Sequence, residues 1–136
     1  MGRAWVNPPM NADAHRLDEL TEKIIGCAYK VANGLGAGFL EKVYEKSLSI
    51  ELRNSGLHVE QQKPITVFYD GQAVGEYFAD LLVEKSILVE LKATKSIDEI
   101  HMAQCLNYLK ATNLKVCLLI NFASPKVAIK RIVNGC

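Results

Sequence analysis

The chain has 136 residues, 49% of them hydrophobic, and a formal net charge of +1. That length suits a single domain with its own core. The near-neutral balance excludes a strongly basic chain that would grip nucleic acid through bulk charge, so any phosphate affinity must come from local groups.

In chain order, residues 1–13, with Pro8-Pro9, read as a loose N-terminal tail, and residues 14–136 as the single domain. Leu17, Leu20, Ile24, Cys27, Ala28 and Val31 recur at helical spacing and predict an amphipathic helix over 14–33. The run Asn33-Gly34-Leu35-Gly36-Ala37-Gly38 ends it. A phosphate loop is excluded there, because the run lacks the Lys-Ser/Thr pair and follows a helix instead of a strand. A tight helix–helix turn is expected. The second helix spans about 39–54, with Leu40, Val43, Tyr44, Leu48 and Leu52 as its apolar face and Asn54-Ser55-Gly56 closing it. Glu41, Glu45 and Glu51 read as surface acids, and Tyr44 as a packing residue with its hydroxyl bonded nearby.

Residues 57–69 predict a strand interrupted at Pro64, Asp70-Gly71 a hairpin turn, and 72–83 the returning strand. Residues 86–93 give a third strand. Ser96, with Glu99 three residues on, predicts the cap of a helix over 97–112 whose Met102, Leu106 and Leu109 face the core. His101 on that helix reads as solvated. Lys115 to Phe122 is nearly continuous in apolar residues, as in a strand buried on both faces, and Val127 to Val133 alternates as a last strand. The order is ααβββαββ: an α/β fold with a mixed central sheet flanked by helices.

The chemistry concentrates in Asp80 and Glu90-Leu91-Lys92, each inside an apolar strand where a carboxylate is costly unless paired. A hairpin with the three-residue loop Glu84-Lys85-Ser86 sets Val83 opposite Ile87, Leu82 opposite Leu88 and Asp80 opposite Glu90. Opposite residues share a face with Cβ atoms roughly 5 Å apart, and Lys92 joins that face. Leu81, Val83, Val89 and Leu91 then fall on the opposite, buried face. Two carboxylates so close need a cation between them, and oxygen donors favour Mg²⁺ or Mn²⁺ over zinc. The Leu91 backbone carbonyl could add a further ligand, and Lys92 could assist an attacking water or steady phosphate charge. An exposed salt bridge from Lys92 to Asp80 or Glu90 is the competing reading of the same residues.

Asp80 with Glu90-Leu91-Lys92 resembles the core of the PD-(D/E)XK nuclease superfamily, with Ala79 where the superfamily's name has a proline. Gly38-Phe39-Leu40-Glu41-Lys42-Val43-Tyr44 resembles the GxxExxY signature of one bacterial and archaeal branch. Gln104-Cys105-Leu106-Asn107-Tyr108 resembles the QxxxY motif, and Leu119-Ile120-Asn121-Phe122 with Lys130-Arg131 resembles the branch's C-terminal strands. The likeness covers roughly residues 17–133 and implies a restriction-endonuclease-like α/β sandwich. It implies a metal-dependent nuclease hydrolysing phosphodiester bonds in DNA, with Asp80 and Glu90 holding Mg²⁺ or Mn²⁺ and Glu41 completing the site. On the same resemblance Gln104 holds a water or a phosphate, and Tyr108 and Tyr44 lie on the substrate side. A catalytically silent nucleic-acid-binding or protein-interaction module on the same fold is the alternative, and a homodimer or a protein partner could help grip a substrate.

Lys95, Lys110, Lys115, Lys126, Lys130 and Arg131 are candidate phosphate contacts, each taken singly a solvated side chain. Cys27, Cys105, Cys117 and Cys136 form no CxxC pair, which excludes a zinc ribbon or an iron–sulfur ligand set. Free thiols suit a reducing cytoplasm. No apolar run is long enough for a membrane span, and no signal-peptide core is visible, so a cytoplasmic location without membrane contact is expected.

Overall fold

Eight elements form in the expected order in the computed structural model, which describes residues 8–123 and 126–135. They are α1 (Pro8–Leu35), α2 (Glu41–Asn54), β1 (Val59–Tyr69), β2 (Gln72–Val83), β3 (Ile87–Lys92), α3 (Glu99–Thr112), β4 (Val116–Asn121) and β5 (Ala128–Val133). The tail expected over 1–13 lies outside the described residues up to position 7, and from Pro8 the chain is already helical. Cys136 also lies outside them. Among the described residues no helix is long and apolar enough to cross a membrane.

The sheet order is β1-β2-β3-β4-β5, antiparallel except for the β3–β4 pair, which α3 connects. A parallel pair needs such a crossover, because a short loop cannot return the chain to the same end of the sheet. The apolar stripe of α1, from Leu17 to Val31, packs with Tyr44, Leu48 and Leu52 of α2 onto Leu81, Val83, Val89, Leu91, Leu118 and Ile120. The other face carries Leu82, Leu88, Cys117 and Leu119 under Cys105, Tyr108 and Leu109 of α3. Both faces of β4 are therefore covered, as its continuous apolar run implies.

Three local expectations are corrected. Leu40 and Val43 are exposed; Glu45 and Ser49 occupy the buried side of α2 with Tyr44, Leu48 and Leu52. The α3 cap is Asp98, whose N–H donates to Nδ1 of His101 at 3.2 Å, so neither Ser96 nor Glu99 supplies it and His101 has a structural partner. Strand β1 runs straight through Pro64, which pairs with Phe78. As an edge strand β1 tolerates the missing N–H.

The irregularities of β1 lie instead at Gln62, which has a positive φ of 53°, and between Val67 and Phe68, where the register shifts. Around Gln62 the hairpin rolls over. Val59, Leu81 and Val83 face the α1/α2 core, whereas Ile65 and Ala79, also odd-numbered, face α3. Strict alternation would keep all five on one face. The roll therefore falls at Gln62 and Asp80.

The turn between α1 and α2 is held by Tyr44. Gly36 follows the helix end with φ 74°, a conformation suited to glycine. The Tyr44 hydroxyl donates to the Gly36 carbonyl at 2.6 Å and accepts from the Phe39 N–H at 3.2 Å. Its ring stacks on Phe122 beyond β4, with centroids 4.5 Å apart and planes 6° from parallel. Tyr44 is fully buried, so it offers no surface to a substrate and serves the turn instead. Tyr44→Phe keeps the stack and removes two hydrogen bonds. It is expected to lower stability by about 1–2 kcal/mol, read as a lower urea midpoint at unchanged slope.

Candidate functional site

Strands β2 and β3 pair as the loop arithmetic requires: Val83 with Ile87, Leu82 with Leu88 and Leu81 with Val89. The ladder then stops. The expected face-to-face pair of Asp80 and Glu90 is replaced by a crossed contact. The Asp80 N–H donates to Oε2 of Glu90 at 2.8 Å, and the Leu91 N–H donates to Oδ2 of Asp80 at 2.8 Å. Each carboxylate thus takes a backbone donor from the other strand at the point where the hairpin rolls. Register, loop length and the roll together bring the two acids to one place.

Further acids reach this place from α2. Glu45, only 4% exposed, accepts from Gln61 at 3.2 Å and from Gln62 at 2.9 Å. The same Gln62 amide donates to Oδ1 of Asp80 at 3.3 Å, bridging the two carboxylates. Glu41, one helical turn earlier, reaches the N–H of Ala93 just past β3, at 3.3 Å. By residue type and spacing Glu45 is expected on the surface and Gln62 has no expected role. The stripe Glu41, Glu45, Leu48, Leu52 could have flagged Glu45, since it places that acid between a candidate ligand and two core leucines. Nothing in the sequence marks the positive φ that aims Gln62.

Burial pushes Glu90 up to about 8, with the neighbouring Asp80 charge adding to it, against the lowering effects of the Asp80 N–H and the Lys92 charge. Asp80 is also raised, chiefly by burial and then by repulsion from Glu45 and Glu41, against the lowering effects of the Leu91 N–H and Gln62. None of the salt bridges among the described residues involves Lys92, so the reading of this pattern as a salt bridge to Asp80 or Glu90 finds no support in the geometry.

The backbone beyond the site is pinned by Asn121, which pairs with Lys92 across β3–β4. Its side chain accepts from the Thr94 N–H at 3.1 Å and donates to the Thr94 carbonyl at 2.8 Å. The Lys92 carbonyl accepts from Phe122 N–H, toward β4. Backbone groups of successive strand residues point to opposite edges. The Leu91 carbonyl therefore faces β2, the side on which its N–H already meets Asp80.

From the opposite layer, Gln104 and Tyr108 share one face of α3, with the Gln104 amide donating to the Tyr108 hydroxyl at 2.9 Å. No hydrogen bond joins either residue to Asp80 or Glu90 among the described residues. Burial and the nearby Glu90 carboxylate push the Tyr108 phenol up to about 12, which places it in the field of the acids and keeps it protonated.

Metal fit follows from the donor set. Among the described residues no three His, Cys, Asp or Glu side chains form a ready cage. Four carboxylates nonetheless converge here, and the innermost two are raised chiefly by burial and then by neighbouring acids. All-oxygen donors with an incomplete protein shell suit Mg²⁺, which keeps several waters and is bound through one or two carboxylates. Asp80 and Glu90 fit that role, and the Leu91 carbonyl points to the correct side.

The sequence model of the PD-(D/E)XK nuclease superfamily matches residues 18–132. No curated protein matches the chain. Among solved structures, the fold is similar to the crystal structure of SSO0001, with TM-score 0.53 and 20% identity over 70% of this chain and 50% of that one. An alkaline exonuclease (LHK-Exo) from Laribacter hongkongensis matches with TM-score 0.47 and 15% identity, over 64% of this chain and 52% of that one. The chain thus spans about half the length of each. With the family match running from α1 to β5, the chain belongs to the PD-(D/E)XK nuclease superfamily.

Proposed function

We propose that the chain is a metal-dependent nuclease of the GxxExxY type, hydrolysing phosphodiester bonds in DNA. The observation that carries this reading is the interlocked Asp80–Glu90 pair, Glu90 buried and Asp80 half-buried, with both acids raised and neither in a salt bridge among the described residues. Asp80 and Glu90 would hold Mg²⁺ or Mn²⁺, with the Leu91 carbonyl as a third oxygen and Glu41 joining directly or through water. The cation, when bound, activates water and stabilises charge developing on the phosphate.

The chain's own groups supply the rest. Lys92 follows Glu90 by two residues on the same strand face, and its ammonium, free of carboxylate partners among the described residues, can orient the attacking water or meet a phosphate oxygen. Gln104 donates through its amide nitrogen to Tyr108, which leaves its carbonyl oxygen to accept from a water. Tyr108, accepting from Gln104, keeps its own proton to donate to a phosphate oxygen. Glu45 and Gln62 position Asp80 from outside the reaction.

The test is cleavage of linear, circular, single-stranded and branched DNA with Mg²⁺ or Mn²⁺. Asp80→Asn and Lys92→Ala are each expected to lower the rate at least about 100-fold with an unchanged circular dichroism spectrum. Rates near the parent's in either variant would remove the role assigned to that residue.

Charge at the site gives a second expectation. The folded chain holds a proton on Glu90 up to about 8, whereas an unfolded one releases it near the ordinary 4.5. The folded state therefore binds more protons across that window. Metal-free stability is highest below the unfolded value and falls as pH rises through the folded one. Mg²⁺ or Mn²⁺, binding only the folded site, should restore stability at the alkaline end. Glu90→Gln should flatten the profile. Thermal unfolding from pH 5 to 9, with and without metal, checks this; a flat, metal-insensitive profile in the parent would contradict the metal assignment.

A further inference from the structure

Away from the acids, a groove of about 960 Å³ runs between α3 and the distal half of the β1–β2 hairpin. Gln104 and Tyr108 line it, and of these Tyr108 lies in the field of Glu90. Tyr77 leans on Tyr108 with ring centroids 5.9 Å apart, and Phe68 lies further along the hairpin wall. These rings are poorly covered for aromatics: Tyr77 is 47% exposed and Phe68 64%. Opposite them α3 contributes Asn107 and Lys110. Among the described residues no carboxylate lines the groove, in contrast to the acids at the Asp80–Glu90 site.

We propose that this groove is a channel for single-stranded nucleic acid leading to the Asp80–Glu90–Lys92 site. Bases would stack on Tyr77 and Phe68, and Lys110 and Asn107 would meet the phosphates. Aromatic platforms beside a cation track are how single strands are held without sequence preference, since every base has a π-face. The volume accommodates a short stretch of one strand and is too small to enclose a duplex. A protein strand is a poorer occupant: strand addition uses a sheet edge, whereas the groove lies on the sheet face, and the β1 edge is blunted by Pro64. The delivery of a strand for cleavage rests on the nuclease reading above; the binding itself does not.

The probe is a fluorescein-labelled oligothymidylate, titrated by anisotropy against the full chain carrying Lys92→Ala so that nothing is cleaved, beside a blunt duplex of equal length. The single strand should bind more tightly than the duplex. Phe68→Ala and Tyr77→Ala should each weaken it about tenfold, while Tyr77→Phe, which keeps the ring, should leave it near the parent's value. Photocross-links from 5-iododeoxyuridine should map to residues 66–77 or 100–111. Because Tyr77 touches Tyr108, the largely exposed Phe68 is the variant whose fold is least at risk, and its melting temperature should match the parent's. Unchanged affinity in Phe68→Ala, a duplex preference, or cross-links only elsewhere would overturn the channel. A shift from dimer to monomer on gel filtration with unaltered oligonucleotide binding would overturn it too, by assigning the groove to a contact between copies. Metal-dependent cleavage of DNA that ignores Phe68 and Tyr77 would sink the channel and leave the nuclease standing. Loss of all cleavage and metal uptake, with single-strand binding still dependent on both rings, would do the reverse.

Discussion

The crossed bonds between Asp80 and Glu90 set the terms for the rest of the structure. A regular antiparallel ladder would have continued past Leu81 and Val89 with backbone partners alone. Two carboxylates take those donors instead, at 2.8 Å each. Backbone donors favour the charged form of both acids, yet Glu90 is raised to about 8, because burial and the Asp80 charge outweigh them. A buried polar cluster left partly compensated is less favourable than an apolar one. Aliphatic side chains at these two positions would fill a sheet seam better, so the arrangement is not one that folding alone favours.

The surroundings hold that unfavourable pair in place. Gln62 can bridge Glu45 and Asp80 only because its backbone leaves the extended region, and that departure turns the distal hairpin toward α3. Helix α2 is fixed at its N-terminal end by Tyr44, so Glu41 and Glu45 approach the strands from a defined angle. On the far side, Asn121 fixes the backbone just after Lys92. The acids and the lysine thus sit on strands braced from both layers, which is the condition for holding a small constellation to sub-ångström tolerance.

Much of this is legible in the sequence. The three-residue loop fixed the register of β2 on β3, and with it the approach of Asp80 to Glu90. The continuous apolar run of β4 gave its double burial, and Asp70-Gly71 gave the turn, where Tyr69 pairs with Gln72. Strict alternation was the wrong guide once the hairpin coiled, because period 2 says nothing about where a pair of strands rolls. A glutamine in the left-handed region has no sequence mark. Leu40 and Val43 look like core by type, but α2 turns Tyr44, Leu48 and Leu52 inward, and Glu45 is buried beside them where Gln61 and Gln62, distant in sequence, donate to it. His101 looked solvated because its partner is a backbone N–H on its own cap.

The incomplete cage bears on how such a site would be filled. On the proposed reading, two inner carboxylates and one carbonyl would supply only part of a hard cation's oxygen shell. The remaining positions would then fall to water and to the substrate phosphate. Neither the anionic cluster nor an anionic strand attracts the other. A divalent cation between them reverses the sign of that interaction, so metal and nucleic acid would bind with positive coupling, each raising the affinity for the other by the same factor. The groove fits this division: on the proposed reading most of the affinity for the strand would come from stacking on Tyr77 and Phe68, with Lys110 as a single local cation, so a chain with a net charge of only +1 would need no broad basic surface.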